Sequence, residues 1–380
     1  MTRLLRSGRR GYLNSIAQLS PSHRTILPAN HIPGNWVNPL SDSRWAGFLD
    51  QHPDASIFHT PGWLEALQRT YGYLPVVLTT SAPGEQLRNG MVLCRIKSWI
   101  TGARIVSLPF SDHCQPLVDS SETLKALMSS LNNNFEREDW KYIEVRPLVW
   151  PESVSEGQIC YTKSEQFYVH RLDLQTDLDM IVRGFHRSCI QRKIQRAKRE
   201  RLVYEEGRSA SILRKFYYLM LRTRRRHQLP PQPITWFQNL ISSLGDRLTI
   251  RVVSKDEQPI ASIVTLAHKS TVVYKYGGSD ERFHNQGGMP YLFWRAIEEA
   301  KSKGAKSFDF GRSALDNPGL IAFKDNWGAT RTKLTYYRYP AETSEPGDHG
   351  TATRAAKKVF SFLPDRCLSA AGRLMYRHIG

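Results

Sequence analysis

Four stretches in the second half of the chain carry residue types whose spacing suits chemistry. The first, YKYGGSDERFHNQGGMPYLFWRAIEEAKSKG, runs from a strand ending at Tyr276 through a loop holding Gly277, Gly278, Gly287 and Gly288. It then enters a helix that opens near Pro290 and stops at Gly304. Glycines just ahead of a helix leave amide N–H groups bare at the positive end of the helix dipole, an arrangement that cradles phosphate. Arg282 adds a charge-assisted donor there. The same glycines also read as a tight loop needing positive φ, and they spell neither G-x-G-x-x-G nor a Walker loop.

The second stretch, HRSCIQRKIQRAKRER at 186–201, reads as one helix. Ile190, Ile194 and Ala197 fall on one face and Arg192, Lys193, Arg196 and Arg199 on the opposite one. Like charges this dense repel one another, so the stripe reads as an anion-binding surface or as a solvated face. The third, LRTRRRHQLPPQP, collects Arg222, Arg224, Arg225 and Arg226 where the prolines end a helix, a place where cations also suit the dipole. The fourth, LIAFKDNWGA at 320–329, sets Lys324 beside Phe323 with Trp327 four residues from the phenylalanine. That spacing reads as one helical turn pinned to a core.

The 380 residues carry 53 Lys and Arg against 35 Asp and Glu, a net charge of +18. Such an imbalance predicts an anionic partner: nucleic acid, nucleotide-linked sugar, coenzyme A or an anionic lipid surface. A hydrophobic content of 40%, with 9 Trp and 16 Tyr, supplies cores for two domains. No run of about eighteen apolar residues predicts a membrane span. The N-terminus MTRLLRSGRRGYLNSIAQLS lacks the apolar segment and cleavage site of a signal peptide, so a cytoplasmic protein is expected. Cys94, Cys114, Cys160, Cys189 and Cys367 are scattered without a C-x-x-C pair and read as buried free thiols.

The elements that must position these residues fall into four parts. Residues 1–36 read as a flexible basic arm. Residues 37–165 alternate two helices (SRWAGFLDQHP, PGWLEALQRTYG), three strands, a helix and the strand WKYIEVRPL, ending in the Pro, Gly and Ser-bearing connection VWPESVSEGQICYTKS. Residues 166–340 form a second unit in which a strand, three helices, a hairpin turning at HKS, the glycine loop with its helix, AKSFDFG and TKLTYYRYP follow one another. The tail 341–380 is basic and partly amphipathic, with either an anionic inner leaflet or the protein core as its docking place.

Taken in order, R-K-I-x-R-A-x-R, Y-G-G-S, N-x-G-G-M-P-Y-L, K-G-x-K-x-F-D-F-G and G-L-x-x-F-K-x-x-W-G resemble the FemAB-like branch of the GNAT acyltransferase superfamily. That branch includes the Fem peptidoglycan aminoacyltransferases and relatives linked to exopolysaccharide synthesis. The resemblance covers roughly 36–340 and implies an α/β fold of mixed sheets in two tandem GNAT-like domains. It also implies acyl transfer to an amine without a metal.

The roles it implies are specific. Lys324 stabilises charge in the transition state and the Phe323 carbonyl orients the attacking amine. Thr223 and Arg225 match a Thr-x-Arg pair that contacts a nucleotide-sugar acceptor, with Leu229 where an aromatic residue is expected. Tyr276, Arg192 and Arg196 join them as substrate-binding residues, and Asp309 reads as a base or as a structural acceptor. The donor is acyl-CoA or aminoacyl-tRNA, its phosphates against Arg282, Asn285, Gly287 and Gly288. The helical-hairpin arm that some Fem members insert for transfer RNA has no counterpart, which favours acyl-CoA. The acceptor is an anionic small molecule or lipid-linked saccharide, an amino group of a cell-envelope polysaccharide or peptidoglycan precursor, with transfer RNA and the inner membrane surface as further partners. The rival class is a non-catalytic nucleic-acid-binding protein that uses the basic helix 186–201. His113 and His284 read as loop histidines without a partner.

Overall fold

Runs of β-branched and aromatic residues build twelve strands: β1 (Asn35–Val37), β2 (Leu74–Thr79), β3 (Met91–Ser98), β4 (Gly102–Val106), β5 (Ile143–Val145), β6 (Thr162–Asp173), β7 (Val203–Gly207), β8 (Leu248–Lys255), β9 (Gln258–His268), β10 (Thr271–Ser279), β11 (Ser307–Ala314) and β12 (Thr330–Tyr339). The structure, a computed structural model, describes residues 34–135, 137–151, 161–340 and 364–379. All twelve strands join one sheet in the order β1-β2-β3-β4-β5-β12-β6-β11-β10-β9-β8-β7. Only β4–β5 and β10–β11 run parallel among its neighbouring pairs.

That order is two six-stranded halves placed head to head, each with one parallel pair. The halves exchange a strand: β6, which follows β5 in the chain, pairs with β11, while β12, which follows β11, pairs with β5. The two exchanged strands pair with each other from Thr330–Arg171 to Arg338–Thr162.

Among the described residues ten helices cover the sheet: α1 (Ser43–Gln51), α2 (Pro61–Tyr71), α3 (Ser121–Phe135), α4 (Leu178–Gly184), α5 (Arg192–Arg199), α6 (Ala210–Arg226), α7 (Ile234–Leu244), α8 (Gly288–Ser302), α9 (Pro318–Asp325) and α10 (Asp365–Ile379). Their ends follow the capping rules: Pro61 opens α2 and left-handed Gly72 closes it, Ser209 caps Ile212 N on α6, and Asn317 caps Leu320 N on α9. One core is shared by α1, α2, α6 and α7, with Trp63 edge-on to Trp236 at 5.3 Å. A second core lies under α4, α5, α8 and α9 and a third under α3.

Two expectations change. The basic stretch is not a single helix, since a π turn over Arg187–Gln191 precedes α5. The His186 ring accepts from Cys189 N, and the Gln191 amide donates to the carbonyls of Val182 and Phe185, which fixes the widened turn. Among the described cysteines, Cys94 and Cys114 are buried, but Cys189 is half-buried and Cys367 exposed because it faces outward on α10; Cys160 lies outside the described residues. The described tail residues form α10, which packs on the protein. Tyr73 donates to the Tyr376 carbonyl, the Tyr376 hydroxyl to Pro230 O, and Leu368 is fully buried. Residues 1–33 of the proposed arm, 152–160 of the connection and 341–363 of the tail lie outside the described residues.

Candidate active site

The parallel pair β10–β11 is held together only from Thr271–Ser307 to Val273–Asp309. Beyond it β10 continues with β9 and β11 with β6, so the two strands part. Backbone groups on the inner edges of the opening lose their ladder partners and need others. Lys324 meets that need: its ammonium, from the last turn of α9, donates to the carbonyls of Gly311 at 2.8 Å and Arg312 at 2.9 Å. Lys324 is 2% exposed, and burial lowers its pKa to about 8 against the pull of Asp112 and Asp309.

The neighbours of Lys324 make the opening cationic. Lys275 of β10 donates to the Asp112 carboxylate at 2.8 Å, and Arg312 Nε stands 3.9 Å from the same carboxylate. The buried Lys275 has its pKa lowered by desolvation, opposed by Asp112. Tyr336 donates to the Asp112 carbonyl and accepts from Arg312. Thus Lys324, Lys275 and Arg312 gather around Asp112, leaving an excess of positive charge at the opening, of the kind that can stabilise an oxyanion.

A cleft of about 780 Å³ leads to Lys324. Its walls are Phe323 and Leu320 from α9, Tyr274, Phe293 and Ile260 around the strands, and Gly288 and Met289 at the start of α8. Lys193, Arg226 and His284 lie at its polar side. No side chain caps the N-terminus of α8, where Gly288 and Met289 line the cleft and carry the first two backbone N–H groups, Pro290 having none. The Phe323 carbonyl is likewise passed over by the helix, because Asn326 N bonds to Ala322 O and Trp327 N to Lys324 O. Trp327 is fully buried, edge-on to Phe185 at 4.9 Å, and anchors the turn that carries Lys324. The arrangement suits acyl transfer: amides and cations for a phosphate-bearing donor, an apolar wall for its acyl arm, and an ammonium at the reacting carbonyl.

Residues 184–324 match the acetyltransferase (GNAT) domain family. The chain carries a GNAT acyltransferase domain. In structure it is similar to FemX, at 16% identity and a TM-score of 0.62 over 78% of this chain and 94% of that one. It is similar also to a tandem GNAT protein from the clavulanic acid biosynthesis pathway, at 11% identity and a TM-score of 0.52 over 82% of this chain and all of that one. Both likenesses are of fold. No curated protein sequence matches significantly. An acyltransferase therefore stands in place of the non-catalytic reading of the basic helix.

Within the GNAT domain, the residues singled out from sequence separate into those at the cleft and those elsewhere. Phe323, Lys324 and Gly288 line it. Gly287 sits beneath it with φ +79°, where a Cβ would come within 2.2 Å of the Lys193 carbonyl oxygen, so its glycine serves the approach of α5. Arg282 is spent on a bidentate pair with Asp280, and exposed Asn285 is absent from the cleft wall. Thr223 bonds to both backbone groups of Ser279, Arg225 donates to Asp365 of α10, and the Tyr276 hydroxyl accepts from Trp236. Arg226 and His227 reach the cleft instead. On α5, Lys193 reaches it; Arg192 lines a separate groove of about 630 Å³ with Arg187, Lys198 and Arg199, and Arg196 pairs with Glu200.

Asp309 is a fixed acceptor. It is 1% exposed, takes Gly311 N and Arg171 Nε, and lies 3.8 Å from His113. Burial would raise its carboxyl, but these donors outweigh burial and hold it at about 2, too acidic to take a proton from an amine. His113 and His284 do have partners, Asp309 and Ser279. Asp112 and Lys275 were not identified from sequence. For Lys275 the signal was a lysine inside a buried strand; for Asp112, in FSDHCQP, no local signal exists.

Proposed function

We propose that the protein is an N-acyltransferase whose acyl donor lies in the cleft before Lys324 and whose amine acceptor approaches through the opening between β10 and β11. The observation that carries the reading is the buried Lys324 ammonium bridging the Gly311 and Arg312 carbonyls at the head of that cleft. The donor is an acyl-CoA thioester. Its phosphates suit the α8 N-terminus with Lys193 and Arg226, and its acyl arm suits the wall of Phe293 and Tyr274. The acceptor is an amino sugar or amino-bearing precursor of the cell envelope, in keeping with the FemAB-like motifs.

The uncharged amine attacks the acyl carbon while the Phe323 carbonyl accepts one of its N–H bonds and sets the line of approach. The carbonyl π electrons move onto oxygen, and Lys324 stabilises that charge. Collapse of the adduct re-forms the carbonyl and expels the thiolate with the C–S electron pair. The nitrogen loses its extra proton to the thiolate or to water, leaving amide and free thiol.

Lys324→Ala should lower kcat by roughly 10²- to 10³-fold, the usual loss for one oxyanion donor, with KM for the acyl-CoA little changed. Steady-state rates with an acyl-CoA panel and amino-sugar acceptors, beside a melting curve to show the variant is folded, provide the check. A folded variant with undiminished kcat would remove the assignment, and turnover with aminoacyl-tRNA but no acyl-CoA would change the donor.

A further inference from the structure

The hairpin between β3 and β4 ends on Trp99 and Ile100, whose side chains are 84% and 54% exposed. Burying apolar surface is the main gain in folding, so an indole this bare on a rigid support invites an explanation outside the fold. The support is rigid. Ser98 Oγ accepts from Ile100 N at 3.2 Å and Thr101 N at 2.9 Å and stands 3.0 Å from His378 Nδ1. Thr101 Oγ1 and the Arg104 guanidinium both donate to the His378 carbonyl. The tip is thereby braced against the last turn of α10, and the Trp99 ring meets His378 edge-on at 5.6 Å.

One turn before His378, on the same side of α10, stands Leu374, 60% exposed. Arg373 and Arg377, one turn apart, lie to one side of it and are exposed, as is Lys97 at the foot of the hairpin. Beyond Asp365, α10 carries no acidic residue. Lys141 also reaches the hairpin, close against Gly102, but it follows Glu138 and Asp139 and adds no net charge to the patch.

We infer that the Trp99–Ile100 tip and the Arg373–Leu374–Arg377 face of α10 dock on an anionic lipid bilayer. Three features choose this occupant over a protein. The patch is a hairpin tip beside one turn of a helix, with Trp99, Ile100 and Leu374 as its exposed apolar side chains, where a stable protein interface takes about 20–30 residues a side. Its apolar atoms are an indole and aliphatic groups, which settle at the headgroup boundary. The charges around them are cations, complementary to acidic headgroups, in a chain of net charge +18. The surface goes beyond the acyl-transfer reading and stands whether or not the acceptor is lipid-linked.

The test is co-sedimentation of the full-length protein with vesicles of phosphatidylcholine alone and of phosphatidylcholine with equal phosphatidylglycerol. Two double variants accompany it, Trp99→Ser with Ile100→Ser and Arg373→Gln with Arg377→Gln. The wild type is expected to bind the anionic vesicles only. Each variant should lower its partition coefficient about tenfold or more, with the melting temperature unchanged because the altered side chains are exposed. Equal binding to neutral vesicles, or undiminished binding by either variant, would overturn the proposal. So would a wild-type dimer, seen by light scattering, that the Trp99 variant dissociates, since the patch would then face a second copy. Acyl transfer to a soluble acceptor should be the same in all three proteins, which keeps this test separate from that of the active site.

Discussion

Lys324 is subject to opposing demands. Burial favours its neutral form, while Asp112 and Asp309 and two carbonyls favour the ammonium, and the balance leaves a pKa of about 8. An ammonium that stabilises an oxyanion must be charged, so activity should decline as pH rises through about 8. A lysine acting as base would give the opposite sign, with activity climbing over the same range. The acceptor amine must also be uncharged, so its own deprotonation sets a rising limb in either case; the falling limb of kcat near 8, measured at saturating acyl-CoA and lost in Lys324→Ala, separates the two, and its absence from the wild type would reassign Lys324. The turn that carries Phe323 and Lys324 was legible because its signal is local: Trp327, four residues after Phe323, anchors it in the core. The counter-ion of Lys324 was not. Asp112 reaches Lys275 from 163 residues away, in a loop whose own sequence has no chemical signature. Asp309 could be read only as either base or acceptor, since the donors that decide it, Arg171, His113 and Gly311 N, gather only on folding.

At the level of elements, the glycine loop and the basic helix prove to be one device. Gly287, left-handed at φ +79°, lets the Lys193 carbonyl of α5 come against the start of α8, and this places the Lys193 side chain at the cleft. Gly287→Ala should cost about 1–2 kcal/mol for the left-handed backbone and push α5 outward. Calorimetric titration with coenzyme A should show affinity falling severalfold while kcat at saturation stays near the wild-type value. Unchanged affinity with a lowered melting temperature would reduce Gly287 to a purely structural role. The glycine positions and the basic residues were plain in sequence, and so were most helix ends, because caps and prolines are local signals. The π turn was missed because its cause is side-chain capture, by His186 and Gln191, of groups a periodic pattern does not reveal. The distribution of cations among the cleft, the second groove and Glu200 depends on tertiary packing for the same reason.

The strand exchange governs the molecule as a whole. Two helix-and-strand series were readable along the chain, but not that β12 returns to the first half, since β5 has only three residues and pairs with a strand nearly the whole second unit away. That return closes the first half chemically as well as geometrically. Glu144 of β5 is 4% exposed and bonds Arg338 of β12 at 2.9 Å as well as Arg146, so without β12 a buried carboxylate loses one of its two cations. Losing a partner from a buried charged pair costs on the order of 3–5 kcal/mol, a large part of an ordinary domain's stability. The core shared by α2 and α7 would be opened at the same time. Residues 34–151 expressed alone should therefore be insoluble or unfolded by circular dichroism, whereas co-expression with 161–380 should restore a soluble pair in which β5 meets β12 and β11 meets β6. Arg338→Ala in the full chain is the milder version, expected to lower stability to urea without altering the cleft. A cooperatively folded 34–151 fragment would show that β12 is dispensable to the first half. Since Asp112 lies in the first half and its partners Lys275 and Arg312 in the second, the co-expressed pair should regain acyl transfer only when both pieces are present.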